Sequence, residues 1–578
     1  MCENFPDALT PMGWSVFQEV VVGIFRLILP RFGIDLDARP WFGRIAGRVY
    51  VNLTTTHQVF HGLQIFGDLD PSEMLGGARV PFDLSPASSW AIRRHFRLLR
   101  QLPWLFRLGA QLASRTASRQ GTLYLNLFRP RLEELVATDF PALSDTALGD
   151  FIPTLRQRAF PEADRQTAAL SSGMASMVLG FGASIAALRL SRRWLNDDDG
   201  SVTKRLLAGT GSMASAEAAL DLWRLAAWAR EQPELARPLG AERPLAAVRA
   251  ELEGAPSGRE FLDRWEDWMK RHGHHARGEM DIYRPRWSEQ PDLVLDLLRG
   301  YLRAAATNDL LEQQAAQSRE REALLETCRR RLRNPSKRWL FATLIDRARH
   351  GLALRENVKS EGVRGVMAIR RALVEAGDRL VRRGALRERD DVFFLTLPEL
   401  RQALTGSARF DAAPLVAPRR AEFARNRSLR PPPIVDGRPA ASSPSGPGVA
   451  GRTPLPGPAR ARADQERTPE PCNRLTGLAV SPGIAVGKAR VILRADDHER
   501  LAPGEILVAP ATDPGWTPYF LSAAAIVVDI GGQLSHGSIL AREFGIPAVV
   551  NVGDATRRIR TGQVIRVDAN QGIVTIEH

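Results

Sequence analysis

The chain has 578 residues, 44% hydrophobic and 25% charged, which is long enough for several domains with separate cores and ordinary for a globular protein. Its net charge of +14 comes almost wholly from arginines scattered among carboxylates, with lysine only at Lys204, Lys270, Lys337, Lys359 and Lys488, and this mixed-sign pattern argues against a nucleic-acid partner. The three distant cysteines (Cys2, Cys328, Cys472) exclude a disulfide framework or a CxxC zinc site and fit a cytoplasmic location.

In chain order, the opening MCENFPDALTPMGWSVF lacks the basic-then-apolar order of a secretory signal. The pattern from about residue 10 to 430 is mostly helical, with no repeat of fixed period. Gln166 to Leu188 runs 23 residues without a charge, long enough to cross a bilayer. Alanine, serine and glycine dominate it, so the expectation is a helix buried among other helices and no membrane partner. SAEAALDLWRLAAWAREQ predicts an amphipathic helix with Ser215 as its N-cap. PDLVLDLLRGYLRAAATNDLLEQQAAQSREREALLETCRRRL predicts one or two long helices, and VRGVMAIRRALVEAGDRLVRRGAL another that stops at Gly384. GRVYVNLTTT and DDVFFLT read as short extended pieces.

Residues 431–473 are crowded with Pro, Gly and Ser and hold too few large apolar side chains to fold alone, which predicts a flexible tether. Residues 474–578 change period to short strands (GIAVGKARVI, GEILVAP, AAIVVDI, PAVVNV, QVIRVDA, IVTIEH) around one clear helix. The expected architecture is multidomain: a mostly α-helical unit over 1–430, the tether, and a small α/β domain over 474–578.

The chemistry concentrates in DIGGQLSHGSILAREFGIPAVV, residues 529–550. Gly531 and Gly532 allow a tight turn and close approach to a ligand, Ser535 is placed to cap the next helix, and Gly545 with Pro547 to end it. His536 then stands at the helix N-terminus, where free N–H groups and the dipole favour an anion and disfavour imidazolium. A neutral imidazole there is a nucleophile near neutral pH, and a phosphoryl group on it would meet those N–H donors, with Arg542 adding charge.

The segment Gly531–His536, Ala541–Arg542 and GIPAVV at Gly545–Val550 together resemble the phosphohistidine swivelling domain of phosphoenolpyruvate-utilising enzymes. LAVSPGIAVGKARVI is similar to that domain's opening, and ILVAPATDPGWTPYF, with Thr512 and Asp513, to the loop beside its histidine. ENFPDALTPMGWSVF, GRVYVNL, GEMDIYRPRW, LRENVK and DDVFFLTLPEL resemble, in the same order, the substrate domain of the rifampicin phosphotransferase branch. The resemblance implies a phosphotransferase in which His536 carries phosphorus from ATP to a hydroxyl of a bulky small molecule, such as an antibiotic or other secondary metabolite. It also implies that Arg355 and Lys359 face the incoming phosphohistidine, with Glu356 orienting them, and that Glu279 and Asp281 line the acceptor pocket.

In these relatives an ATP-grasp domain precedes the substrate domain, and no segment here resembles one, nor a GxxxxGK[ST] loop. A separate ATP-grasp partner of the pyruvate phosphate dikinase type, acting in trans, is therefore expected to bring ATP and Mg. This chain is expected to bind no cofactor or metal directly, although His272, His274, His275, Glu279 and Asp281 lie close in sequence. A gene fragment, or a histidine that is a relic, would also explain the absence. The alternative is a non-catalytic accessory or small-molecule-sequestering protein that kept the fold.

Overall fold

The computed structural model describes residues 5, 7–28, 41–52, 126, 128–159, 163–197, 200–207, 214–276, 278–303, 310–406, 411–429, 435, 473–493, 501–512, 516–520, 522–532 and 535–577. Apart from Val435 and Asn473, the expected tether lies outside these residues.

At the N-terminus the Thr10 hydroxyl accepts from Gly13 N at 3.1 Å and Pro11 opens the helix Pro11–Val16. A π-helical turn, Phe17–Val22, and a second helix, Gly23–Ile28, continue it. GRVYVNL forms the second strand of a hairpin, β1 (Phe42–Ile45) and β2 (Arg48–Val51). Its turn is Ala46–Gly47, with φ of 47° and 74°, the mirror-image geometry that matches strand twist.

The helical unit is organised on long elements: α1 (Ala163–Leu195), α2 (Ala214–Arg230), α3 (Pro256–His272), α4 (Pro291–Arg303), α5 (Leu310–Arg331) and α6 (Pro335–Arg382). Helix α6 is 48 residues long. Asn334 starts it by accepting from Ser336 N at 2.8 Å and Lys337 N at 3.3 Å. It stops as the sequence predicts, with Gly384 in the left-handed region at φ 73°.

The small-residue stretch of α1 explains itself where α1 meets α6. A Cβ on Gly180 would lie 2.4 Å from the Gly351 Cα, and the reverse also holds, so two glycines let the backbones touch. Among the described residues no helix is long and apolar enough to cross a membrane.

Three sequence expectations need correction or completion. Helix α2 already begins at Ala214, so Ser215 sits in its first turn and is not the N-cap. The long 291–332 pattern forms two helices, α4 and α5, and residues 304–309 between them lie outside the described set. DDVFFLT is not extended: Arg389–Phe394 is a 3-10 helix, because Asp391 accepts from Glu388 N at 3.0 Å and closes the chain into a turn. Adjacent Phe393 and Phe394 are both buried against α6 and its neighbours, which an alternating strand cannot achieve.

The C-terminal unit is an eight-stranded mixed sheet in the order β3-β10-β9-β5-β6-β7-β8-β4. The strands are β3 (Arg474–Thr476), β4 (Leu478–Ser481), β5 (Ile484–Val491), β6 (Ile506–Ala509), β7 (Ala525–Val528), β8 (Ala548–Val550), β9 (Val564–Asp568) and β10 (Ile573–Ile576). Strands β5 to β8 run parallel, and their all-apolar runs ILVA, AIVV and AVV are buried on both faces as parallel strands require. The clear helix, α7 (His536–Glu543), connects β7 to β8.

This unit sits on the helical one through a shared apolar cluster. Leu220 of α2 and Leu352 of α6 join Trp516, Tyr519, Phe520, Ile539, Leu540 and Phe544. With its amide nitrogen turned toward α7, Gln317 of α5 donates to the Arg542 and Glu543 carbonyls and accepts from Gly545 N, so a residue of the helical unit caps the end of α7.

Candidate active site

The turn before α7 is tied by its own hydroxyls. Ser535 is extended (φ −64°, ψ 154°) and its Oγ accepts from Ser538 N at 3.4 Å, the N-cap the sequence predicts. Ser538 Oγ donates to the Gly532 carbonyl at 2.7 Å, pinning the glycine turn to the first helical turn. Gly531 is held close to β8, where a Cβ would lie 3.1 Å from the Val550 Cβ. Asp529, at the end of β7, accepts from Thr556 N at 3.1 Å and Thr556 Oγ1 at 2.5 Å, and burial pushes its carboxyl pKa up.

His536 is the first residue of α7, as the sequence predicts, and its side chain lies outside the described residues. Thr512 is buried directly against the next residue: a Cβ on Gly537 would lie 2.1 Å from Thr512 Oγ1. The loop carrying Thr512 is therefore brought to the start of α7, while Asp513 lies outside the described residues. Arg542 is at the other end of the helix, about 9 Å away along its axis at 1.5 Å per residue. Its buried guanidinium donates to the Val480 carbonyl at 3.3 Å, and burial lowers its pKa to about 10. Its charge is thus directed at β4 rather than at the N-terminal turn.

Helix α6 carries the second group. Arg349 faces Glu543 of α7 electrostatically, and Leu352 enters the shared apolar cluster one turn on. Arg355 and Glu356 follow, with Arg355 Nε 3.8 Å from the Glu356 carboxylate. Glu356 is 1% exposed, whereas Arg355 and Lys359 are only partly covered. Glu361 then pairs with Arg129 at 2.8 Å and Arg364 at 3.6 Å.

The third group is the loop after α3. His275 Nδ1 lies 2.5 Å from Glu279 Oε1, both residues being buried, and the His274 ring stacks on His275 at 4.2 Å. Burial, then the neighbouring His275 and Arg364, push the His274 pKa well down, so this ring is neutral. Glu279 Oε2 and His274 Nε2 have no hydrogen-bond partner among the described residues. Asp281 does a different job from Glu279. It accepts from Tyr283 N at 3.0 Å and lies 3.8 Å from Arg284, while burial raises its pKa.

Two arginines brace the loop. Arg286 donates to the Glu279 and Asp281 carbonyls at 2.7 and 2.6 Å, and Arg370 of α6 to those of Ile282 and Tyr283 at 2.9 and 3.0 Å. Nothing in the local sequence pattern assigns a role to these arginines or to His275. The i,i+4 spacing of His275 and Glu279 was the available signal for the pair. Among the described residues, no group of three or more His, Cys, Asp or Glu is placed to hold a metal ion.

Comparison with known proteins matches both regions. Residues 501–572, which carry β6 to β9 and α7, match the model of the PEP-utilising enzyme mobile domain. Residues 172–356 match the rifampicin phosphotransferase fourth domain. The chain is thus similar to the rifampicin phosphotransferases and, over 501–572, to the phosphoenolpyruvate-utilising enzymes. It is 33% identical over 442 residues to a rifampicin phosphotransferase of Streptomyces sviceus, covering 74% of this chain and 46% of that protein. It is 31% identical to that of Bacillus subtilis (56% and 36% covered) and 34% identical to that of a Streptomyces species (66% and 42%). The chain spans less than half the length of these curated relatives.

Proposed function

We propose that this chain is the carrier and acceptor part of a phosphotransferase, moving a phosphoryl group on His536 to a hydroxyl of a bulky small molecule. The observation that supports it most is the order of contacts along α6. Glu543, at the end of α7, faces Arg349, and Leu352 shares the apolar cluster of Ile539 and Leu540. Extended by one turn in each helix, that order supports a first turn of α7 lying toward Arg355, with Lys359 one turn further along α6. Arg364, about 7.5 Å beyond Lys359 at 1.5 Å per residue, lies by the histidine loop with Glu279.

A neutral imidazole nitrogen of His536 attacks a phosphorus of ATP held by an ATP-grasp partner in trans; an N–P bond forms and the bond to the leaving phosphate oxygen breaks. The acceptor hydroxyl oxygen then attacks the same phosphorus, the N–P bond breaks, and the hydroxyl proton passes to Glu279 Oε2, which has no hydrogen-bond partner among the described residues. Arg355 and Lys359 stabilise the charge on the transferring oxygens, and the N–H groups at the start of α7 do so on the phosphohistidine. ATP and Mg enter only with the partner. Antibiotics of the rifampicin kind are the first acceptors to try, because the similar proteins are named for rifampicin.

The test is discharge of the labelled phosphoprotein. Rifampicin or another hydroxylated macrocycle removes the label from the unaltered chain, and Lys359→Ala or Arg355→Ala slows this about 100-fold or more. Equal discharge rates in all three proteins would overturn the assignment of the two cations.

A further inference from the structure

One end of the helical unit collects cations that the phosphotransfer reading does not use. Helices α1 and α6 run antiparallel about their glycine contact, so the end of α1 meets the start of α6, and Lys337 Nζ lies 5.2 Å from the Trp194 ring centre. Arg192 and Arg193 of α1 are exposed at that end. So are Arg330, Arg331, Arg333, Lys337 and Arg338, within nine residues around the α5–α6 turn. Arg330 is paired with Glu326 at 3.2 Å, and Arg338 donates to the Leu332 carbonyl at 3.4 and 3.3 Å. Among the described residues, Arg192, Arg193, Arg331, Arg333 and Lys337 have no carboxylate within ion-pair distance. The nearby sequence adds only Asp198 and Asp199, which lie outside the described residues.

Two large apolar side chains stand within this charge. Trp339 is 60% exposed and Leu340 38%, next to each other on the first turns of α6, while Phe341 turns inward and is fully buried. The local fold therefore does not require Trp339 and Leu340 on the surface for its own packing. A polyanion such as nucleic acid would engage the cations but gives the leucine nothing to contact. A lipid headgroup layer engages both: phosphates meet the Arg and Lys side chains, and Trp and Leu enter the boundary between headgroup and acyl chain.

We propose that the α5–α6 turn, with the end of α1, is a peripheral docking surface for an anionic lipid bilayer. It spans nothing, in keeping with the absence of a membrane-crossing helix among the described residues, but it revises the sequence expectation of no membrane partner.

The test is co-sedimentation of the full chain with vesicles of phosphatidylcholine alone and of equal parts phosphatidylcholine and phosphatidylglycerol, at low and raised salt. The expected result is at least tenfold tighter binding to the anionic vesicles, weakened by salt. Arg331→Gln with Arg333→Gln lowers it about tenfold or more, and Trp339→Ser lowers it several-fold without changing thermal unfolding. The Trp339→Ser arm separates lipid from generic polyanion binding, since retention on a DNA duplex should ignore it. No preference for anionic vesicles, or full binding by the Trp339→Ser variant, overturns the proposal.

Discussion

His275 Nδ1 and Glu279 Oε1 are 2.5 Å apart in a loop where both side chains are buried, leaving Glu279 Oε2 without a partner among the described residues. A buried carboxylate with one oxygen held and one free has the arrangement of a base kept in position. Replacing Glu279 by Gln keeps the shape but removes the basicity, and transfer to a hydroxyl acceptor should fall about 100-fold or more. His275→Ala should cost about 1–3 kcal/mol of stability, because it leaves the carboxylate buried without its donor; urea unfolding reads this.

Gly537 offers a paired test at the carrier turn. Its Cβ position is 2.1 Å from Thr512 Oγ1 but 3.4 Å from Thr512 Cβ, so the clash is with the hydroxyl alone. Gly537→Ala should reduce labelling of the carrier and lower stability by about 1–3 kcal/mol, and Thr512→Ala in the same chain should restore most of the loss. Two independent, additive losses would show that the pair is not in contact.

The crossing of α1 and α6 predicts an effect opposite in sign to ordinary propensity. Alanine for glycine inside a helix usually gains about 0.5–1 kcal/mol. At Gly351 the new Cβ would meet the Gly180 backbone at 2.4 Å, and overpacking of about 1–3 kcal/mol should win. A lower urea midpoint for Gly351→Ala checks it, and an unchanged or higher one would contradict the contact.

Glu399 carries a pH signature. The Arg419 guanidinium beside it is the largest cause that holds its carboxyl at about 2, against an ordinary value of 4.5. A depressed folded-state pKa contributes stability that is fully present above about pH 4.5 and lost as pH falls toward about 2. The gap in urea midpoint between the native chain and Glu399→Gln should therefore shrink across that window; a constant gap would mean the pair adds no pH-dependent stability.

Much of this was legible because it is local. Alternating and all-apolar runs marked six strands of the C-terminal domain, and GG-x-x-S-H placed a serine cap and a histidine on a helix start. What escaped depends on distant partners. DDVFFLT has strand-forming residues, yet Asp391 closes a turn on Glu388 and both phenylalanines go inward. Arg542, six residues after the histidine, has its guanidinium on Val480 because the far end of the helix faces β4. No spacing rule announces that Arg370 holds a loop 87 residues earlier, or that Gln317 caps a helix of another domain.

The most direct measurement is the site of label after incubation of the full chain with an ATP-grasp partner and ATP labelled in its β- and γ-phosphates. The expected result is acid-labile, base-stable phosphate that maps to His536 and is absent from His536→Ala. Label that persists in that variant, or that sits on another residue, would contradict it.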